Sequence, residues 1–145
     1  MKKLLFAAAT LVSLLSFATP PADINAKVLK AFNETFTHAQ NVIWNEVAGY
    51  YDVSFKMNDI QTRVRYDNRG NFIQSIRYYN EQQLPLNVVS KLKKRYADKK
   101  VFGVTEMTTT SEVIYRIVLE DEKHWLIVHA DATGSIEEME KYNKA

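Results

Sequence analysis

From Ile24 onward, apolar residues recur at helical spacing. Val28, Phe32 and Phe36 follow one another every four residues, with Ile24 and Ala31 on the same side. Lys27, Lys30, Asn33 and Glu34 fall on the opposite side, so the pattern predicts a helix with one apolar stripe laid on a sheet. Pro20 and Pro21 stand at or before its start, where a missing N–H costs little. The period then changes to two. In "YYDVSFKM", Tyr51, Val53, Phe55 and Met57 oppose Tyr50, Asp52, Ser54 and Lys56. "NVIWNEV", "IQTRVRY" and "NFIQSIRYY" alternate in the same way, which predicts four strands with one buried face. Ala48-Gly49, Asn58-Asp59 and Asp67 to Gly70 separate them, and breaks this short predict antiparallel hairpins.

The pattern then restarts. Pro85 opens a second helical stretch in which Val88, Leu92 and Tyr96 repeat the first stripe at a constant offset of sixty. "KVFGVTEM", "EVIYRIVL", "KHWLIVHA" and "SIEEMEKY" follow as strand candidates, the last polar enough to suggest a bulge. Asp67 and Gly70 meet Asp131 and Gly134 at an offset of sixty-four, the longer connection around "EDEK" supplying the extra residues. The expected fold is therefore α+β: two tandem α-β-β-β-β repeats, about 22–80 and 84–143, with helices on one face of a curved antiparallel sheet. The repeated D-x-x-G is read as turn chemistry, with Asp accepting backbone hydrogen bonds and Gly at positive φ. A calcium loop needs more oxygen ligands than Asp67, Asn68 and Asn71, or Asp131, provide.

These features resemble the PepSY-like domains, also called β-lactamase-inhibitor-like domains, of exported bacterial proteins. The resemblance rests on the Val28/Phe32/Phe36 helix, Trp44, the "DVSFK" strand, the "DNRGNF" turn, the Pro85 helix start and the second helix-plus-sheet half. It spans nearly the whole chain after the leader. It implies tandem helix-on-sheet halves sharing one sheet, and no catalytic residues. Two departures stand out: Val104 occupies the place of Trp44 in the second half, and the disulfides of the name-giving inhibitors are missing.

The first residues change the setting. Lys2 and Lys3 precede a nearly unbroken apolar run from Leu4 to Ala18, closed by Ser16-Phe17-Ala18. Residues 1–18 read as a secretory signal peptide, cut after Ala18 or alternatively after Ala22, leaving a single domain over 19–145. The apolar run is shorter than the ~20 residues a membrane span needs, and no cysteine follows to carry a lipid. Losing Lys2 and Lys3 takes the formal charge from +2 to 0, which gives no reason to expect nucleic acid or an anionic membrane as partner. The chain has no cysteine, so its stability must come from its core and thiol chemistry is excluded.

Candidate chemistry is sparse. His124 and His129 differ by five and face opposite sides of one strand, and His38 lies in a connection, so a shared metal site is not expected. "TTTSE", the acidic Glu120-Asp121-Glu122 and the basic Lys91, Lys94 and Arg95 read as a solvated hairpin connection, turn and helix face. No cofactor is expected, and no enzyme. What remains is the sheet face away from the helices. By alternation it carries Tyr50, Lys56, Arg63, Arg65, Arg77 and Tyr79 in the first half, and Ile114, Arg116, Val118, Trp125, Ile127 and His129 in the second. Trp, Tyr and Arg on an apolar ground is the composition of a recognition surface. The expectation is a periplasmic or secreted module that binds another exported or envelope protein through this face, as an inhibitor or regulator of a hydrolase. The alternatives are a small-ligand or envelope-sensing module, and self-association as a homodimer.

Overall fold

The computed structural model describes residues 23–145, so the leader assigned to residues 1–18 lies outside the described residues. Ten main elements follow in order: α1 (Ala26–Thr35), β1 (Gln40–Val47), β2 (Tyr50–Met57), β3 (Ile60–Asp67), β4 (Phe72–Tyr79), α2 (Leu86–Arg95), β5 (Lys100–Thr109), β6 (Val113–Glu120), β7 (His124–Asp131) and β8 (Ile136–Asn143). A 3-10 turn at Glu81–Gln83 precedes α2. All eight strands form one antiparallel sheet in sequence order, so each hydrogen-bonds only to its chain neighbours.

Local chemistry sets the element ends. The Asn25 side chain accepts a hydrogen bond from the Lys27 N–H at 2.9 Å, satisfying one of the free donors that open α1. Pro85 caps the start of α2, and Lys93, Lys94 and Arg95 in its last turn complement the helix dipole. Ala48-Gly49 and Asn58-Asp59 all have positive φ, the backbone of two-residue hairpins whose twist matches the flanking strands.

Two apolar clusters form the core. The first joins Val28 and Phe32 of α1 to Trp44, Tyr51, Val53, Phe55, Val64 and Tyr66. The Phe32 ring stands 5.2 Å from both Trp44 and Phe55, edge-on to each, an arrangement the ring quadrupoles favour. The second joins Val88 and Leu92 of α2 to Tyr79, Leu84, Val104, Ile117, Leu119, Leu126 and Val128.

The D-x-x-G turns tie each sheet half to its helix. Asp67 Oδ1 accepts from the N–H groups of Arg69 and Asn71, and Asp131 Oδ1 from those of Thr133 and Ser135. Gly70 and Gly134 have φ of +84° and +80°, and a second constraint is added by close approach. A Cβ on Gly70 would stand 2.7 Å from the Lys27 carbonyl oxygen, and one on Gly134 would meet Lys91 Cδ at 3.1 Å. Here glycine serves the turn and the helix docking together.

Register fixes which residues share a face. One row on the core face runs Phe55, Thr62, Arg77, Glu106, Tyr115, Ala130, Ile136. The next runs Tyr79, Val104, Ile117, Val128. Arg77 and Tyr79, expected on the opposite face, therefore lie on the core face, and Tyr79 is buried. A β-bulge causes the reversal. Tyr66 pairs with Phe72 but Arg65 pairs with Gln74, so Ile73 is an extra residue and every later side chain of β4 changes face. A similar irregularity in β8 pairs Ile127 with Glu140 and Val128 with Glu138, leaving Met139 extra and turning Tyr142 to the open side.

Candidate functional site

The face opposite the two core clusters is open, and the same register maps it. One row crosses the sheet as Ser54, Arg63, Ile76, Met107, Ile114, Asp131. The next crosses as Lys56, Gln61, Tyr78, Thr105, Arg116, His129, Glu137. Beside them lie Asp52, Arg65 and Gln74 in the first half. Val118 and Ile127 pair in the second half, as do Trp125 and Tyr142. Among the described residues, seven of the nine exposed large hydrophobics belong to this face or its rim: Ile43, Val47, Tyr50, Tyr78, Phe102, Met107 and Tyr142. The other two are Leu86 on α2 and Met139 at the β8 bulge, so exposed apolar surface among the described residues is concentrated on one side.

The polar groups of this face are differently engaged. Arg65 grips Asp52 with two hydrogen bonds, Nε to Oδ1 at 2.7 Å and Nη2 to Oδ2 at 2.8 Å. Asp52 is only 8% exposed, and the Arg65 hydrogen bonds hold its carboxyl below the usual carboxylate range against the opposing pull of burial. Arg65 also lies 5.7 Å from the Tyr50 ring centre. Lys56 pairs with Asp59 at 3.0 Å. Arg63 and Arg116 are exposed and, among the described residues, make no ion pair.

At the other end, Trp125 is half-buried. Phe102 meets its ring edge-on at 4.8 Å, and Lys144 Nζ lies 4.4 Å from the ring centre. Lys144 is in turn anchored by Glu120 at 2.7 Å. Ile127 is buried although it belongs to the open side, which removes it as a contact residue, and His129 is half-buried. Alternation thus brought Tyr50, Lys56, Arg63, Arg65, Arg116, Trp125 and His129 to the open face. It missed Tyr78, Met107 and Phe102. Tyr78 follows the β4 reversal, while Phe102 and Met107 take their places through the β5 irregularity between Val101 and Gly103. Glycine beside an apolar residue in "VFGV" was the only signal in the sequence.

Arg77 and Tyr79 do different work. Glu106 accepts from Arg77 at 3.1 Å and from the Tyr79 hydroxyl, while the Arg77 guanidinium lies 5.3 Å from the Tyr79 ring centre. Burial, then the Glu106 contact, pushes the Tyr79 hydroxyl well above its ordinary pKa. This satisfied polar triad joins β4 to β5 between the two apolar clusters. In the acidic "EDE" tip, Lys99 bonds Asp121 at 2.6 Å, and the Lys123 and His124 N–H groups add to it. These donors, Lys99 foremost, hold the Asp121 carboxyl far below its usual range. His124 Nδ1 lies 3.1 Å from Asp121 Oδ1. No group of three metal-ligating side chains gathers among the described residues. None of their helices is long and apolar enough to cross a membrane. The groove lined by Asn58, Tyr78, Asn80, Phe102, Thr105 and Val118 opens to solvent at the joint of the halves.

The fold is shared with solved structures. A DUF2874 family protein from Bacteroides ovatus aligns with a TM-score of 0.61 at 22% identity, covering 86% of this chain and 88% of that one. A BLIP-like protein from Bacteroides fragilis gives 0.63 at 16% identity, covering 86% and 87%. A protein of Bacteroides eggerthii, provisionally described as periplasmic, gives 0.60 at 19% identity, covering 81% and 87%. The fold is BLIP-like. No protein-family model matches the chain, and neither does any curated protein.

Proposed function

We propose that this chain is an exported, non-catalytic module that recognises another protein of the envelope through its open sheet face. The observation that carries the reading is the gathering on that face of seven of the nine exposed large hydrophobics among the described residues, together with arginine and aromatic side chains. The sheet is broad and its groove shallow, which suits a protein surface better than a small ligand. The leader expected at residues 1–18 would deliver the chain to the periplasm or outside the cell. The BLIP-like fold adds inhibition or regulation of a hydrolase as the role within this reading, and a duplicated α-β-β-β-β unit as its origin.

The test is affinity capture from the native host's envelope with the wild-type chain and three variants. Tyr78→Ala and Trp125→Ala remove anchors from the open face, and each is expected to weaken capture about tenfold, as truncated interface anchors do. Lys94→Ala, on the exposed side of α2, is expected to leave it unchanged. Equal capture by all four proteins would contradict the reading.

A further inference from the structure

Apart from Arg69 in the turn between β3 and β4, the arginines of this molecule fall into two groups. Arg65, Arg77 and Arg95 each hold a carboxylate, on Asp52, Glu106 and Glu138 respectively. Arg63 and Arg116 are exposed on the open face, and neither is in an ion pair among the described residues. Asp52, the acid whose titration Arg63 influences, is already held twice by Arg65. Arg63 lies on β3 and Arg116 on β6, three interstrand spacings apart and one row over, since Arg63 lines up with Ile114; that separates them by about 16 Å. Between them the face is mostly apolar, with Ile76, Tyr78, Met107 and Ile114, and Thr105 beside Arg116.

We propose that the partner presents an acidic protein segment, with carboxylates about 16 Å apart on either side of an apolar centre. The proposal rests on the open-face reading above and adds the chemistry of the occupant. A guanidinium offers a planar fork of donors that matches a carboxylate with two parallel hydrogen bonds, so two such forks set both register and orientation; Arg63 Nε donates at 3.4 Å to Ser54 Oγ, which leaves its two terminal nitrogens to face outward. The apolar strip between them supplies contact area that a point-charge pair alone would lack. A nucleic acid or an anionic membrane fits poorly. Glu137 and Glu140 stand exposed on the β8 side of the same face and would repel a polyanion, whereas a short acidic segment over β3–β6 stays clear of them.

The test uses the full chain, expressed and exported in its native host, with a benzophenone amino acid in place of Met107, between the two arginines. After irradiation the cross-linked peptide is identified by mass spectrometry. The expected product is a peptide of another protein with acidic residues flanking an apolar stretch. Arg63→Glu and Arg116→Glu should each lower its yield about tenfold. Arg63→Gln and Arg116→Gln serve as milder versions should a reversal disturb folding, and should lower the yield in the same direction. A neutral or basic peptide whose yield ignores these changes would overturn the proposal while leaving the open-face reading in place. So would a cross-link to a second copy of the chain. Cross-linking to lipid or nucleic acid, or no cross-link from position 107, would overturn both.

Discussion

The two halves of the sheet use their side chains in opposite ways. Around α1 the core is aromatic, with Phe32, Trp44, Phe55, Tyr51 and Tyr66 buried together. The open face over it is ionic, with Asp52, Arg65 and Arg63. Around α2 the core is mostly aliphatic: Leu92, Val104, Ile117, Leu119, Leu126 and Val128. There Phe102, Trp125 and Tyr142 stand outside, while Tyr79, Tyr96 and Tyr115 stay in the core. A common element order therefore does not impose common chemistry. What both halves keep is the side of the sheet that must be dry and the D-x-x-G turn tucked against its helix. What differs is where the phenylalanine and tryptophan rings are placed: in the core of the first half, and on the open face of the second.

The largest test of that contrast lies in the cores. Phe55 is fully buried, and Phe55→Ala should cost roughly 3–5 kcal/mol in denaturant unfolding. Ile117→Ala should cost about 2–5 kcal/mol in the aliphatic core. A double-mutant cycle on Phe32 and Phe55 should show about 0.5–1.5 kcal/mol of coupling from ring geometry. Zero coupling would reduce the aromatic core to mere area.

The turns give the next effect. Gly70→Val must force a positive-φ residue against the Lys27 backbone, a loss of about 1–3 kcal/mol. Gly134→Val should cost less, because its nearest neighbour is the flexible Lys91 side chain. The opposite order would show that the two helices are not docked as the contacts indicate.

Arg65→Ala should cost about 1–2 kcal/mol, because it strands the nearly buried Asp52 carboxylate. Its half-buried setting alone would have suggested less. The cost should depend on pH in one direction. The pair lowers the Asp52 pKa, so its stabilisation is present above the unfolded value of about 3.9 and fades as pH falls through the lower folded value. The gap in melting temperature between wild type and variant should therefore close in acid, and a gap that widens would contradict the assignment. The smallest effect on folding belongs to Trp125→Ala, about 1 kcal/mol or less.

Much of this architecture was legible in the sequence. The stripe of Val28 and Phe32, the alternation of Val53, Phe55 and Val64, and the two-residue hairpins each follow from local spacing, and the buried residues obey them. The face assignment failed where spacing stops being local. Ile73 adds one residue after the Asp67–Gly70 turn, and nothing in "NFIQSIRYY" marks it, since both parities carry apolar and polar residues. Arg77 and Tyr79 were consequently exchanged with Ile76 and Tyr78. Arg65 shows a different gap: alternation can place an arginine on a face, but it does not show that Asp52, thirteen residues away, waits opposite it.

The claim that ring area is presented on the open face can be read from the two tryptophans of this chain. Trp44 is 8% exposed in the aromatic core, and Trp125 is half-buried on the open face. Incorporation of 5-fluorotryptophan gives one fluorine resonance for each. On titration with the captured partner, the Trp125 resonance should shift and lose its sensitivity to a soluble paramagnetic agent, while that of Trp44 stays in place. A partner that binds while Trp125 keeps its shift and its accessibility would contradict recognition through the Trp125 end of the open face.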